Sequence, residues 1–95
     1  MEFLSKVEDV FDITGRGCVI APGIPYSYQP PLKIGAKLLF RNPDGTEVKT
    51  ILKGVEMINR GKPMNHAPFL VDSNVKKADI QIGAELFYLP NDEKI

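Results

Sequence analysis

Glycine and proline punctuate this chain so closely that long helices are excluded. Eight glycines and eight prolines are spread over 95 residues, with short runs of Val, Ile, Leu, Phe and Tyr between them. A proline inside a helix removes a backbone hydrogen bond and clashes with the preceding turn. No stretch keeps a 3.6-residue apolar period over three turns. The pattern therefore predicts an all-β domain of short strands joined by tight turns.

Composition narrows the classes of function. Twelve basic residues balance twelve acidic ones, so no net charge draws the chain to nucleic acid or to a membrane. A single cysteine precludes an internal disulfide and favours a reducing, cytoplasmic location. One histidine and one cysteine give no recognisable zinc motif. We expect one soluble domain over residues 1–95, with a core at roughly 3–89, a polar tail at 90–95, and no cofactor, metal or membrane partner.

The start of the chain predicts a β-hairpin. Alternation predicts a first strand with Phe3, Val7 and Phe11 on one face. Two glycines within residues 14–17 permit a turn, and a second strand follows at 18–21. The proline-rich stretch after it, residues 22–31, is predicted to be an extended loop.

The remainder predicts a second hairpin and two more strands. Further strands are expected at 36–41, 46–52, 69–71 and 84–89. Residues 42–45 carry the proline and glycine of a type I turn, and Gly54 predicts a bulge in a strand that continues to Ile58. A loop is expected at 60–68, and Ser73 or Asn74 is expected to cap one helical turn at 75–79.

One sequence element occurs twice. Residues 32–38 and 80–86 both place an apolar pair and a glycine before a strand. This repetition predicts two equivalent corners of the sheet, where the glycine permits the turn and the flanking Ile34 or Ile82 fills the core.

Four segments resemble the second domain of elongation factor Tu, in the family's order. Residues 7–19 resemble its opening "IEDVFSISGRGTVV", 32–38 resemble "IKVGEEVEI", 54–57 match "GVEM" and 82–86 resemble the closing "RGQVLA". The resemblance covers roughly 3–88 and implies a small closed β-barrel of six or seven strands, of the translation-protein type. In that family the barrel packs beside a GTPase domain and helps to hold the aminoacylated 3′ end of transfer RNA.

The resemblance also implies a binding site. Glu8, Asp9 and Phe11 match family positions near the aminoacyl group, Ile13, Gly15 and Val19 match positions around the terminal adenine, and Glu56 matches the acid at the terminal ribose. The chain departs from the family at Ala21, where the family has Thr, and at 22–26 and 63–69, which replace two family loops. The sequence has no GTPase domain, so it holds half of the family's pocket.

From the residues alone, each candidate for the site has two interpretations. The aromatic ring of Phe11 could stack on a base, or it could be a core residue flanked by solvated acids. Arg16 could bind phosphate or simply be exposed in a hairpin turn. Cys18 and His66 are the available nucleophile and base, but Cys18 opens an apolar strand, which favours a buried thiol and no enzyme.

Two hypotheses from different classes follow. The first is a non-enzymatic module that binds the transfer RNA acceptor end or another RNA, with a GTPase domain supplied in trans. The second is a protein-interaction module that docks a translation component, a toxin or an adapter through an arm at 22–31. The second hypothesis assigns contacts to Tyr26, Tyr28 and Pro30, whose residue types are frequent at interfaces.

Overall fold

The computed structural model describes residues 1–56 and 65–90. The strands are β1 (Glu2–Lys6), β2 (Asp9–Ile13), β3 (Gly17–Pro25), β4 (Lys37–Arg41), β5 (Glu47–Val55), β6 (His66–Val71) and β7 (Glu85–Tyr88). One 3₁₀ turn, Lys77–Asp79, lies between β6 and β7. The described part of the chain forms no α-helix, so the all-β prediction is confirmed, and it holds no helix long and apolar enough to cross a membrane.

The seven strands form a single antiparallel sheet. Their order is β1–β7–β4–β5–β6–β3–β2, so the two strands at the edges of the sheet are consecutive in the sequence. Between them, the backbone N–H of Val7 donates to Ala84 O at 2.8 Å, and that of Glu8 donates to Ala21 O at 2.8 Å. The chain therefore leaves the β7 ladder and enters the β3 ladder within two residues.

The core lies against one face of this sheet. Phe40 and Phe69 stack there with ring centroids 6.4 Å apart. Alternation along the strands brings apolar side chains to this face, and loop residues complete it. The buried members are Leu4, Val7, Val10, Cys18, Ile20, Ile24, Leu38, Phe40, Leu52, Phe69, Val71, Val75, Ile80, Ala84 and Leu86.

The prediction that Phe3 and Val7 lie on the same face of one strand was wrong. The structure has two strands in place of one, and the pairing of β1 with β7 shifts register between Phe3 and Ser5. A one-residue shift moves the following side chains to the other face of a sheet. Leu4 and Val7 therefore enter the core together, while Phe3 stays 54% exposed.

The predicted turns are confirmed where the structure describes them. Gly15 and Gly17 have φ of 80° and 117° between β2 and β3. In the 42–45 turn, the N–H of Gly45 donates to Asn42 O at 2.9 Å. The register of β5 against β6 shifts at Gly54, as a bulge there predicts.

Three boundaries differ from the predictions by more than one residue. The second strand runs on to Pro25, because Ile24 and Pro25 pair with β6, so the first residues of the predicted loop belong to the sheet. The predicted loop at 60–68 likewise gives way to β6 at His66. Lys76, and neither Ser73 nor Asn74, caps the 3₁₀ turn, since the Asp79 carboxylate accepts the Lys76 N–H at 2.8 Å.

Some predictions concern parts of the chain beyond the described ranges. The continuation of β5 through Ile58, the first residues of the 60–68 loop and the tail beyond Pro90 lie outside the described residues.

The repeated sequence element forms two similar turns, but its isoleucines do not fill the core. Gly35 and Gly83 have φ of 93° and 91°. Ile34 and Ile82 precede them and are 65% and 61% exposed, so the expectation that they fill the core was wrong. Each isoleucine occupies the corner of a β-turn, from which its side chain projects into solvent. Ile80 enters the core instead.

Candidate functional site

An apolar row crosses the sheet on the face opposite to the core. Phe11 of β2 pairs with Val19 of β3, and Val19 pairs with Leu70 of β6. Directly opposed residues of antiparallel strands project to the same face, so these three side chains lie side by side. We call Phe11, Val19 and Leu70 the outer row.

The sequence neighbours of these residues establish the orientation of the outer row. Val10, Ile20 and Phe69 each lie next to an outer-row residue, and all three belong to the core. Because successive side chains alternate between faces, the outer row is directed away from the core. It is therefore a second apolar feature, separate from the one that holds the fold together.

The members of the outer row differ in their access to solvent. Phe11 and Leu70 are half-buried, whereas Val19 is only 1% exposed. The Val19 side chain is therefore shielded from solvent in this conformation. Val19 instead supports the row, and Phe11 offers the accessible ring.

The two ends of β2 carry the other residues implied by the resemblance. Asp9, Phe11 and Ile13 alternate along β2 and share the outer face. The Asp9 carboxylate accepts the Val10 N–H at 2.9 Å, and Glu8 is exposed just before the strand. Ile13, which is exposed, leads into the turn that contains Gly15. Asp9 and Ile13 lie about 14 Å apart along the strand, whereas Phe11 between them pairs with Val19, so the predicted aminoacyl and adenine positions meet at Phe11.

An ion pair joins the hairpin turn to the end of β5. Arg16 Nη2 donates to Glu56 Oε2, and the two side chains are 55% and 19% exposed. The backbone N–H of Glu56 donates to Pro68 O at 2.8 Å, which fixes the position of Glu56 beside β6. Arg16 is thus paired with an acid and not merely exposed, which neither interpretation of the sequence predicted. The two residues are 40 positions apart, and no local pattern links them.

The register indicates what this ion pair spans. Arg16 lies in the turn beyond the Ile13–Gly17 pair, whereas Glu56 is hydrogen-bonded to Pro68, two residues before Leu70. The outer row lies between these two positions. The Arg16–Glu56 pair therefore joins residues that lie on either side of the outer row.

The Cys18 and His66 pair required for nucleophilic catalysis does not form. Cys18 is 1% exposed, and its Sγ donates to Val75 O at 3.5 Å. Burial raises the pKa of the Cys18 thiol, and the nearby negative charges of Asp12 and Asp79 raise it further. His66 pairs with Pro25, at the opposite end of β3 from Cys18 and about 20 Å along the strand. The prediction of a buried thiol is confirmed.

Metal-ligating groups do not cluster in the region described. Within residues 1–56 and 65–90, no group of three or more His, Cys, Asp or Glu side chains could hold a metal ion.

The proposed docking arm is divided into an anchored part and an exposed part. Tyr28 packs against the core, lies edge-to-face with Tyr88 at 6.2 Å and donates its hydroxyl to the Glu2 carboxylate. That hydrogen bond is the main reason that the pKa of Tyr28 rises to about 12. Tyr26 is 55% exposed, and Pro30 is also exposed. The arm therefore folds against the sheet at Tyr28 and leaves Tyr26 and Pro30 exposed.

A cleft adjoins the arm. It has a volume of about 390 Å³ and is lined by Tyr28, Pro30, Pro31, Leu32, Ile34 and Tyr88, together with Lys33, Gly35 and Ala36. Its walls are mainly aromatic and aliphatic, which suits an apolar side chain of a partner better than a charged group.

Comparison with known proteins identifies no family for this chain. No protein-family model matches the sequence. A search of curated proteins finds no significant match either. The functional assignment below therefore depends on the residues of the site and on the resemblance that they carry.

Proposed function

We propose that this chain is a non-enzymatic, translation-factor-like module that binds the 3′ end of aminoacyl-tRNA or a ribosome-associated RNA. The observation that carries the proposal is the outer row, in which the accessible ring of Phe11 lies beside Val19 and Leu70. A terminal base stacks on Phe11, since aromatic side chains are the usual platforms for unpaired bases.

We also propose that the sheet closes into a barrel of the elongation factor Tu domain 2 type. Three hydrogen bonds support closure, because together they bring the β1 edge of the sheet beside β3, which lies next to the β2 edge. In two of them, the backbone N–H of Val7 donates to Ala84 O in the turn before β7, and the backbone N–H of Glu8 donates to Ala21 O in β3. The third runs from Ser5 Oγ to Gly23 O at 2.6 Å and links β1 to β3 directly.

The polar groups around the outer row fit the rest of a nucleotide. Glu56 accepts hydrogen bonds from ribose hydroxyls, and Arg16 binds a phosphate or holds Glu56 in place. Binding of a ribose must compete with the existing Arg16–Glu56 pair. With zero net charge, the chain lacks the general electrostatic attraction that dominates nucleic-acid affinity. We therefore expect weak binding by the isolated domain and stronger binding when a cytoplasmic GTPase domain is supplied in trans.

The first prediction tests RNA binding through Phe11. In an NMR titration with a short RNA ending in CCA, at about 20–50 mM salt where charges are weakly screened, shifts should cluster at Phe11, Ile13, Val19 and Glu56. Replacing Phe11 by Ala should weaken binding by about 1–3 kcal/mol, the usual loss of a base-stacking aromatic. The matched control is Phe87→Ala, since Phe87 is another half-buried ring on an outer face but belongs to β7.

A substitution of Glu56 provides a second test in the same experiment. Glu56→Gln should weaken binding of a ribose end more than that of a deoxyribose end, because the 2′-hydroxyl is the proposed partner. An absence of shifts at these residues with millimolar RNA would exclude the proposal.

The exposed part of the arm supports a second candidate function. Tyr26 and Pro30 are accessible beside an apolar cleft, so the domain could instead dock a translation component, a toxin or an adapter protein. Shifts confined to residues 22–31 on adding a translational GTPase domain, with none on adding RNA, would establish this function in place of RNA binding.

A further inference from the structure

A row of alternating charges crosses four strands on the side of the sheet formed by β1, β7, β4 and β5. Lys6 pairs with Glu85, Glu85 pairs with Arg41, and Arg41 pairs with Glu47. Directly opposed residues share a face, so the four charges stand in one line in the order plus, minus, plus, minus. Arg41 Nε donates to Glu47 Oε2 at 3.0 Å within this line.

A second row runs beside the charges on the same face. Phe3 pairs with Phe87, Phe87 with Leu39, and Leu39 with Lys49. The rings of Phe3 and Phe87 lie edge-to-face at 5.8 Å, and the Arg41 guanidinium lies 5.0 Å from the centre of the Phe87 ring. Phe3 and Lys49, at the two ends of the row, are exposed, whereas Phe87 is half-buried and Leu39 is buried between them.

Both rows face away from the core. Leu38, Phe40 and Leu86 alternate with residues of the two rows along β4 and β7, and all three are fully buried in the core. The surface shares no strand with the outer row on β2, β3 and β6. An occupant of this surface therefore leaves Phe11 accessible, and the inference is independent of the proposed function.

The order of the charges makes this face complementary to the same face of a second molecule. A two-fold axis that runs along the strands between β7 and β4 would reverse the line of charges in a second molecule. Lys6 then faces Glu47 of the second copy, and Glu85 faces its Arg41. In the second row, the same axis sets the ring of Phe3 against Lys49 of the second copy, a cation–π geometry. Every charge meets its opposite, as an isologous interface requires.

We propose that this face forms a symmetric homodimer of the chain. The interface spans four strands about 4.8 Å apart and about five residues at 3.4 Å each, or about 15–20 Å in each direction. That footprint is smaller than the roughly 800 Å² per partner of a standard stable interface. The dimer is therefore weak, salt-sensitive and populated at high protein concentration.

Sedimentation velocity between about 0.05 and 1 mM protein tests the proposal, with low salt compared with about 0.5 M salt. The wild-type chain should dimerise at low salt and dissociate at high salt. Lys6→Glu and Glu47→Lys should each weaken dimerisation at least tenfold, because each substitution places two like-charge contacts in the symmetric interface. The double variant Lys6→Glu with Glu47→Lys should recover dimerisation, since both contacts regain opposite charges.

Two controls keep this result interpretable. Lys33→Glu changes the charge by the same amount at an exposed turn outside the face and should leave the dimer unchanged. Circular dichroism melts of every variant report whether the fold survives, because the swapped charges also change neighbours within the chain. A wild-type chain that stays monomeric at 1 mM, or a folded double variant that does not recover, would overturn the proposal.

Discussion

At the residue scale, Gly23 leaves no space for a side chain between β3 and β6. Its φ is +100°, and a Cβ atom at this position would lie 1.9 Å from Ala67 O and 2.8 Å from Pro68 Cα. Those atoms belong to the backbone of the neighbouring strand, so they cannot move aside as a flexible side chain can. Glycine is required here for space as well as for conformation.

Gly23→Ala should therefore destabilise the protein by more than about 4 kcal/mol, which is in the exceptional range for a single substitution. The matched control is Gly15→Ala, where φ is +80° but no atom lies within 4 Å of the added Cβ. This control should cost about 1–2 kcal/mol for conformation alone. Urea unfolding measures both, and equal losses would show that β3 and β6 are not so close in solution.

Individual residues also show what local sequence can and cannot predict. The burial of Cys18 follows from its place at the start of an apolar strand, and the structure confirms it. The ion pair between Arg16 and Glu56 could not be predicted, because it joins a hairpin turn to a strand end 40 residues away. Burial of Val19 on the outer face was missed for the same reason, since its neighbour Leu70 comes from a distant strand.

At the scale of elements, the two glycine turns dock in the same way. Gly35 N donates to Leu52 O at 2.8 Å, and Leu52 N donates to Ala36 O at 2.9 Å. The second turn repeats the arrangement, because Gly83 N donates to Val7 O and Val7 N donates to Ala84 O, both at 2.8 Å. Each turn is therefore held by two backbone hydrogen bonds to a single residue, Leu52 of β5 or Val7 just after β1. The sequence repeat correctly predicted two equivalent corners.

The same repeat also shows a limit of sequence pattern. Ile80 and Ile82 are both apolar and flank one residue, so the pattern alone does not tell which of them is buried. In the structure Ile80 is 4% exposed and Ile82 is 61% exposed, because Ile82 occupies the corner of the turn. The geometry of the turn, and not hydrophobicity, decides between them.

This difference gives a prediction for a matched pair of substitutions. Ile80→Ala removes buried methyl groups and leaves a cavity, so it should cost about 2–4 kcal/mol of unfolding free energy. Ile82→Ala removes the same atoms from solvent and should change stability by less than about 0.5 kcal/mol. Thermal and urea unfolding would measure both, and a larger loss from Ile82→Ala would contradict the assignment of the turn.

At the scale of the whole molecule, the two turns belong to a larger internal repeat. β4 pairs with β5 after the first turn, and β7 pairs with β1 after the second. Thr50 opposes Leu38 in the first pair, and Ser5 opposes Leu86 in the second. Thr50 and Ser5 are also two of the three buried polar residues in the described chain. Four of the seven strands therefore form two related pairs, which are joined where β4 meets β7.

The repeat breaks at the edge of the sheet, where sequence interpretation also failed. β1 has a register shift between Phe3 and Ser5 that the β4–β5 pair lacks. That shift lets β1 bend away from β7 towards β3, a long-range requirement that alternation along one strand does not encode. The hairpins were predictable because their turns are local, whereas the path of the first strand depends on how the edges of the sheet meet.

A substitution of Ser5 tests whether β1 is joined to β3. Its hydroxyl donates to Gly23 O at 2.6 Å in a buried hydrogen bond between β1 and β3. Ser5→Ala leaves that carbonyl without this donor, so it should lower the unfolding free energy by about 1–3 kcal/mol. Hydrogen exchange should accelerate in β1 and around Gly23 together if β1 and β3 form one cooperative unit. The exposed Ser73→Ala is the control, with an expected change below about 0.5 kcal/mol. A Ser5 variant as stable as this control, with unchanged exchange in both strands, would mean that β1 and β3 are not coupled and that the sheet is open along this seam.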